Sequence, residues 1–130
     1  MPAFDVHTRR HVEFVDITSQ VAEVAAGDGA VLVFVPHTTA GVTINENADP
    51  AVPRDVRMAL ARLVPQTLPF THAEGNADAH VKASLMGSSV TVPVRSGALQ
   101  LGTWQGVFFA EFDGPRRRRV LVQALAGAAR

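Results

Sequence analysis

The stretch from Ser88 to Ala124, SSVTVPVRSGALQLGTWQGVFFAEFDGPRRRRVLVQA, decides the fold. Val90, Val92 and Val94 alternate with other residues, Ser96-Gly97 marks a turn, and Leu99 and Leu101 alternate again. Val107 to Phe112 is a third apolar run, Asp113-Gly114-Pro115 a second turn, and Val120, Val122 and Ala124 alternate in a final strand. Successive side chains of a strand point to opposite faces, so a period of two reads as a sheet with one face buried. The short connections predict three antiparallel neighbours, a meander or half of a jelly roll.

Upstream, Phe4, Val6, Val12 and Phe14 occupy even positions, and residues 3 to 15 read as one strand. Asp16 or Thr18 is placed to cap a short helix carrying Ile17, Val21, Val24 and Ala25, stopped by Gly27-Asp28-Gly29. Ala30 to Val35 is a continuous apolar run, the pattern of a strand buried on both faces. Val42 to Ile44 form a brief extended piece. Asp49-Pro50 then opens a helix whose Val52, Val56, Ala59, Leu60 and Leu63 share one face as far as Val64. A polar loop from Thr71 to Asp78 leads to a shorter helix, Ala79 to Met86, ended by Gly87. The sum is an α+β fold, mostly antiparallel sheet with about three helices, in a single domain spanning 1–130.

Composition narrows the chemistry. The 130 residues are 47% hydrophobic, enough for a core without staples, and cysteine is absent, which excludes disulfides, thiolate metal sites and a cysteine nucleophile. Twelve basic residues balance twelve acidic ones, so bulk attraction to nucleic acid or to acidic membranes is not expected. The sequence shows neither a signal peptide nor a membrane helix, and a cytoplasmic location is expected. Arg116 to Arg119 is the one charge run; on a strand its members alternate between faces, as at a solvated strand entrance or a subunit contact.

Three polar clusters sit at the ends of apolar segments. His37-Thr38-Thr39-Ala40-Gly41 brings an imidazole and two hydroxyls after a buried strand, suited to a phosphate, to a metal or to local backbone bonds. Asn45-Glu46-Asn47-Ala48-Asp49 carries more polar groups than a helix cap requires, leaving Glu46 and Asn47 available for ligand contact or for a solvated turn. The third cluster runs from His72 to Ser84. His80 and Ser84, four apart, share a helix face with Gly87, whereas Lys82 is turned away. His37, His72 and His80 each lie at an element boundary, so an all-nitrogen metal triad is conceivable. His7 and His11 read as surface residues. Trp104, flanked by Gly102 and Gly106, is placed either to stack on a flat heterocycle or to plug the core.

His37-Thr-Thr-Ala-Gly-Val-Thr-Ile-Asn-Glu-Asn-Ala-Asp-Pro50, Glu74-Gly-Asn-Ala-Asp-Ala-His-Val-Lys-Ala-Ser-Leu-Met-Gly87, Leu101-Gly-Thr-Trp-Gln-Gly106 and Asp113-Gly-Pro115 resemble, in order and spacing, the motifs of the YjbQ-like family of secondary thiamine-phosphate synthases. The resemblance spans almost the whole chain. It implies a β-sandwich-like (jelly-roll-like) α+β fold, a homotrimer with sites near subunit contacts, and a small-molecule phosphorylated substrate. The implied activity joins hydroxymethylpyrimidine diphosphate to thiazole phosphate and releases diphosphate, which calls for Mg²⁺ and donors on the leaving group.

Carried onto this sequence, that chemistry assigns Thr38, Thr39, Ser84 and Lys82 to phosphate oxygens, and Glu46 and Asp49 to the divalent ion. His37 and His80 position substrate or protonate departing oxygen, Asn47 joins Glu46 among the catalytic candidates, and Trp104 with Gln105 binds the aminopyrimidine. A rival assignment makes His37, His72 and His80 a zinc triad that activates water, with Glu46 or Glu74 as base. A third makes the protein a non-catalytic module that binds a phosphorylated heterocycle.

Overall fold

The computed structural model describes residues 1–128 of the chain. Eleven elements follow in order: β1 (Ala3–His7), β2 (Glu13–Asp16), α1 (Thr18–Ala22), β3 (Gly29–Phe34), β4 (Ala40–Glu46), α2 (Ala51–Leu63), α3 (Ala77–Met86), β5 (Ser89–Arg95), β6 (Ala98–Leu99), β7 (Gln105–Glu111) and β8 (Arg117–Ala126). The strands form two antiparallel sheets, one in the order β1-β8-β3-β5-β6 and the other β2-β7-β4. No helix among the described residues is long and apolar enough to cross a membrane.

The α+β sandwich agrees with the sequence reading, but the strand neighbours do not. β5 and β6 do form a hairpin, and Ser96 and Gly97 both take positive φ (49° and 75°) as a two-residue hairpin loop requires. β7, however, crosses to the smaller sheet between β2 and β4, while β8 returns to the larger one between β1 and β3. The expected three-stranded meander is therefore absent. Residues 3 to 15 are likewise two strands in different sheets, because Thr8 to Val12 form the passage from one layer to the other.

The main core lies between the sheets. Val31 and Val33 of β3, Val92 and Val94 of β5, and Val120 and Val122 of β8 meet Val42 of β4 and Val107 and Phe109 of β7, with Ile17 and Val21 completing it. A second cluster covers the outer face of the smaller sheet, where Ala110 and Phe112 meet Ala79 and Ala83 of α3. β7 is thus the strand buried on both faces. β3, expected in that role, buries Val31 and Val33 but leaves Phe34 40% exposed, since among the described residues the helices pack mainly against β4 and β7 of the smaller sheet. α2 is also less buried than its pattern predicts: none of its residues is fully buried, and Leu63 is 71% exposed. It lies at the margin of the second cluster and packs through Leu60.

Candidate functional site

A cleft that gathers four of the candidate residues, His37, Thr38, His80 and Ser84, lies where β3 passes into β4 and α3 ends. His37, Thr38 and Ala40 form one wall and His80, Ala83, Ser84 and Gly87 the other, around a hollow of about 370 Å³. Residues 80, 83, 84 and 87 recur at helical spacing, so one face of α3 supplies the wall. Gly41 lets that wall come close. A Cβ at Gly41 would stand 2.5 Å from the carbonyl oxygen of Gly87, and in fact the Val42 N–H donates to that same oxygen at 3.1 Å. A second hollow, lined by His37, Thr38, Thr39, Arg116 and Arg118 among others, adjoins the first and shares His37, Thr38 and Ser88 with it.

Beneath His37 is a buried polar network. Glu111 of β7 is fully buried and Arg118 of β8 is 3% exposed. Arg118 Nε donates to both Glu111 carboxylate oxygens at 2.9 and 3.2 Å, and Nη2 donates to Glu111 Oε2 and, at 2.8 Å, to Thr39 Oγ1. The Thr8 hydroxyl and the Asp113 N–H donate to the same carboxylate at 2.8 and 3.0 Å. Burial works to raise the Glu111 pKa, but the bonds from Arg118, Asp113 and Thr8 outweigh it and hold the carboxyl below its ordinary 4.5. The pair ties the two sheets together directly under the histidine loop.

His37 is fixed from the other side. The Arg119 N–H donates to His37 Nε2 at 2.9 Å, so that nitrogen carries a lone pair and the neutral ring keeps its proton on Nδ1. Burial, reinforced by the guanidinium of Arg118 and more weakly that of Arg116, lowers the His37 pKa from 6.5. At neutral pH His37 is an uncharged donor through Nδ1–H. His80 faces it across the cleft with its ring edge-on to His72, centroids 5.1 Å apart. The Ser84 hydroxyl donates to the His80 carbonyl at 2.9 Å, leaving its lone pairs free.

Other candidates stand elsewhere. Lys82 is on the far side of α3, where its ammonium donates to Asp78 at 2.8 Å with both side chains almost fully buried; it is not a phosphate ligand of the cleft. Thr39 is buried and spent on Arg118. Glu46 and Asp49 lie at the opposite end of β4, whose seven residues span ~20 Å. There Glu46 Oε2 accepts the Asp49 N–H at 3.2 Å, and Asp49 Oδ1 accepts the Ala51 N–H at 2.9 Å. Asn47 covers Gly106 and takes the Trp104 carbonyl onto its own N–H at 2.9 Å. Gln105 Oε1 accepts the Gly102 N–H at 2.8 Å, and Trp104 is 61% exposed, so it does not plug the core.

His37, His72 and His80 do not come together as a triad within the chain. His72 meets His80 edge-to-face and reaches toward Glu74 (3.9 Å), while His37 Nε2 is occupied by Arg119. Among the described residues, no group of three or more histidine and carboxylate side chains is disposed to hold a metal ion.

The comparisons agree with these motifs. A sequence profile described as "UPF0047 protein YjbQ-like" matches residues 2–127. The chain belongs to the YjbQ/UPF0047 family. It is 51% identical over 126 residues to a UPF0047 protein of Methanocaldococcus jannaschii, covering 94% of this chain and 91% of that one. It is 42% identical over 130 residues to the UPF0047 protein YugU of Bacillus subtilis, covering 96% and 98%. Among solved structures, it resembles a YjbQ/UPF0047-family protein of Clostridium acetobutylicum (TM-score 0.94, 47% identity, 96% and 100% covered). A conserved hypothetical protein of Thermus thermophilus is similar as well (TM-score 0.91, 45% identity, 96% and 100% covered).

Within this family member, the residues that pattern reading missed are Asn76, Glu111, Asp113 and Arg118. Asn76 Nδ2 donates to Asp113 Oδ2 at 2.9 Å, and Arg116 Nη2 donates to the same oxygen at 2.9 Å, which links the start of α3 to the β7–β8 turn. The arginine run does alternate between faces, but Arg118 is a buried ion-pair partner and not part of a solvated entrance. A signal for it existed. Glu111 interrupts the apolar run Val107 to Phe112, and a carboxylate inside such a run needs a buried cation.

Proposed function

We propose that the protein is a transferase of the secondary thiamine-phosphate-synthase type, acting in the cleft between His37-Thr38 and His80-Ser84. The observation that supports this is the meeting of two distant motif segments on one hollow that offers donors to an anion: Nδ1–H of His37 and the hydroxyls of Thr38 and Ser88, the Ser84 proton being taken by the His80 carbonyl. Such groups suit phosphate oxygens, and the adjoining hollow brings Arg116 and Arg118, each paired with a carboxylate, close to His37. In the reaction the thiazole nitrogen attacks the pyrimidine methylene carbon. The carbon–oxygen bond to diphosphate breaks with its electron pair leaving on oxygen, and the nitrogen becomes the thiazolium centre.

His37 donates to the departing phosphate without changing its charge, because its proton is already on Nδ1. His80, the other cleft histidine, is the group available to move a proton. Glu46 and Asp49 do not fit as holders of Mg²⁺ beside this leaving group in one chain, since both are engaged in their own turn at the other end of β4. No step is therefore routed through a metal. Those acids, with Trp104 and Gln105, serve the same substrate only if a neighbouring copy in the implied homotrimer brings its β4 C-terminal end to the cleft.

The test is formation of thiamine phosphate from hydroxymethylpyrimidine diphosphate and thiazole phosphate. Activity in the wild type that falls ~100-fold in His80→Ala with the melting temperature unchanged supports the reading. Absence of product, or full activity in His80→Ala, rejects it. Mixing His80→Ala with Glu46→Gln protomers restores activity if two copies share a site. The donor-rich lining also favours a second reading, a module that binds phosphorylated heterocycles, and calorimetry showing affinity for thiamine phosphate without turnover selects it.

A further inference from the structure

A second basic site lies on the opposite side of α3. Arg10, from the passage between β1 and β2, and Arg57 of α2 both line two neighbouring hollows, of about 240 and 530 Å³. Arg54 joins them in the smaller hollow. One carboxylate, Glu13, is in that lining, and its Oε1 already accepts the Arg9 N–H at 2.6 Å. Arg116, Arg117 and Arg118 are each paired with a carboxylate, on Asp113, Asp5 and Glu111, whereas the scattered Arg9, Arg62, Arg95 and Arg119 are not. Among the described residues Arg10, Arg54 and Arg57 likewise have no such partner, and they alone of the unpaired arginines converge on one hollow.

We propose that this groove binds an organic diphosphate, its phosphates held by Arg10, Arg54 and Arg57 and its organic body laid in the larger hollow. Guanidinium groups stay charged at any physiological pH and present paired donors that match phosphate oxygens. Three of them around one concave surface, facing one carboxylate, concentrate anions there. Their number matches two phosphates better than one. The larger hollow has an apolar lining of Val12, Met58, Leu60 and Ala61, which an inorganic anion would leave unused. Lys82 also borders it, but its ammonium is taken by Asp78 and adds no free charge. The groove is separate from the histidine cleft, because Lys82 and the His80-Ser84 face lie on opposite sides of the same helix.

Calorimetry of the full chain with ADP and with inorganic diphosphate tests this. ADP is expected to bind saturably, at least tenfold tighter than inorganic diphosphate. Arg57→Gln and Arg54→Gln are each expected to weaken it at least tenfold, and His80→Ala to leave it unchanged. Lack of saturable ADP binding, equal affinity for the two ligands, indifference to the arginine variants, or loss of binding in His80→Ala each overturns the proposal. Thermal melting of each variant accompanies the titration, and if Arg57→Gln is unfolded the exposed Arg54 position decides.

Discussion

The two ends of β4 carry similar polar residues and use them in opposite ways. At the N-terminal end, His37 and Thr38 face His80 and Ser84 across a cleft, above a buried Glu111–Arg118 pair. At the C-terminal end, Glu46 and Asp49 bond within their own turn, Asn47 bonds across to the Trp104 carbonyl, and the Trp104 ring stands mostly in solvent. The difference lies in what supports each end. Charged groups from β7 and β8 lie under the first and leave its outer side chains free for ligand, whereas at the second the carboxylates themselves satisfy nearby backbone N–H groups. A polar motif becomes a site when the neighbouring layers have already met its structural needs.

The sharpest way to break that comparison is to remove the support. Glu111→Gln leaves Arg118 buried without a counter-charge and is expected to cost about 3–5 kcal/mol, read by denaturant unfolding. The equivalent change at the other end, Glu46→Gln, is expected to stay within about 0.5 kcal/mol. Equal losses would show that both ends are supported alike.

Glycine substitutions come next. Gly41→Ala drives a Cβ toward the Gly87 carbonyl, a backbone atom that can yield only if α3 moves away, with an expected cost of about 1–3 kcal/mol and loss of cleft binding. Gly106→Ala meets the Asn47 side chain instead, at 2.6 to 2.9 Å. Its strain is expected to be smaller and confined to the Trp104 turn, which tryptophan fluorescence would report.

Acid separates the two ends further. Because the folded Glu111 pKa lies below 4.5, its contribution is complete above that value and is lost as pH falls below it. His37 is also lowered, so the folded protein binds fewer protons than the unfolded chain below 6.5 and loses stability as pH drops through that region. His37→Gln is expected to flatten the stability profile just below pH 6.5, and Glu111→Gln to flatten it below 4.5. The smallest effect belongs to Trp104→Ala, expected to change unfolding free energy by no more than about 0.5 kcal/mol because the ring is mostly in solvent.

Much of this was legible beforehand. Alternation marks β5 and β8 and continuous apolar runs mark β3 and β7, while β4 shows only its Val42 to Ile44 portion; the helical spacing of His80, Ser84 and Gly87 puts them on one wall from the sequence alone. Lys82 was already turned away from it. The continuous run Val107 to Phe112 held the signature of a doubly buried strand, yet the Ala30 to Val35 run held it equally, and residue order does not say which sheet the helices cover. The same gap hid Arg118: Glu111 calls for a buried cation, but four identical residues in a row do not say which of them supplies it.

What the sequence determined alone is local: element type, turn positions, which side chains share a face, and family membership, because each follows from residues a few positions apart or from motif order. The tertiary structure alone decided which strands pair, which arginine is buried, and that the His37 and His80 segments meet while the Glu46 segment stays a strand's length away. Those outcomes depend on contacts between residues dozens of positions apart, and a two-residue period tells a strand which face to bury without telling it against whom.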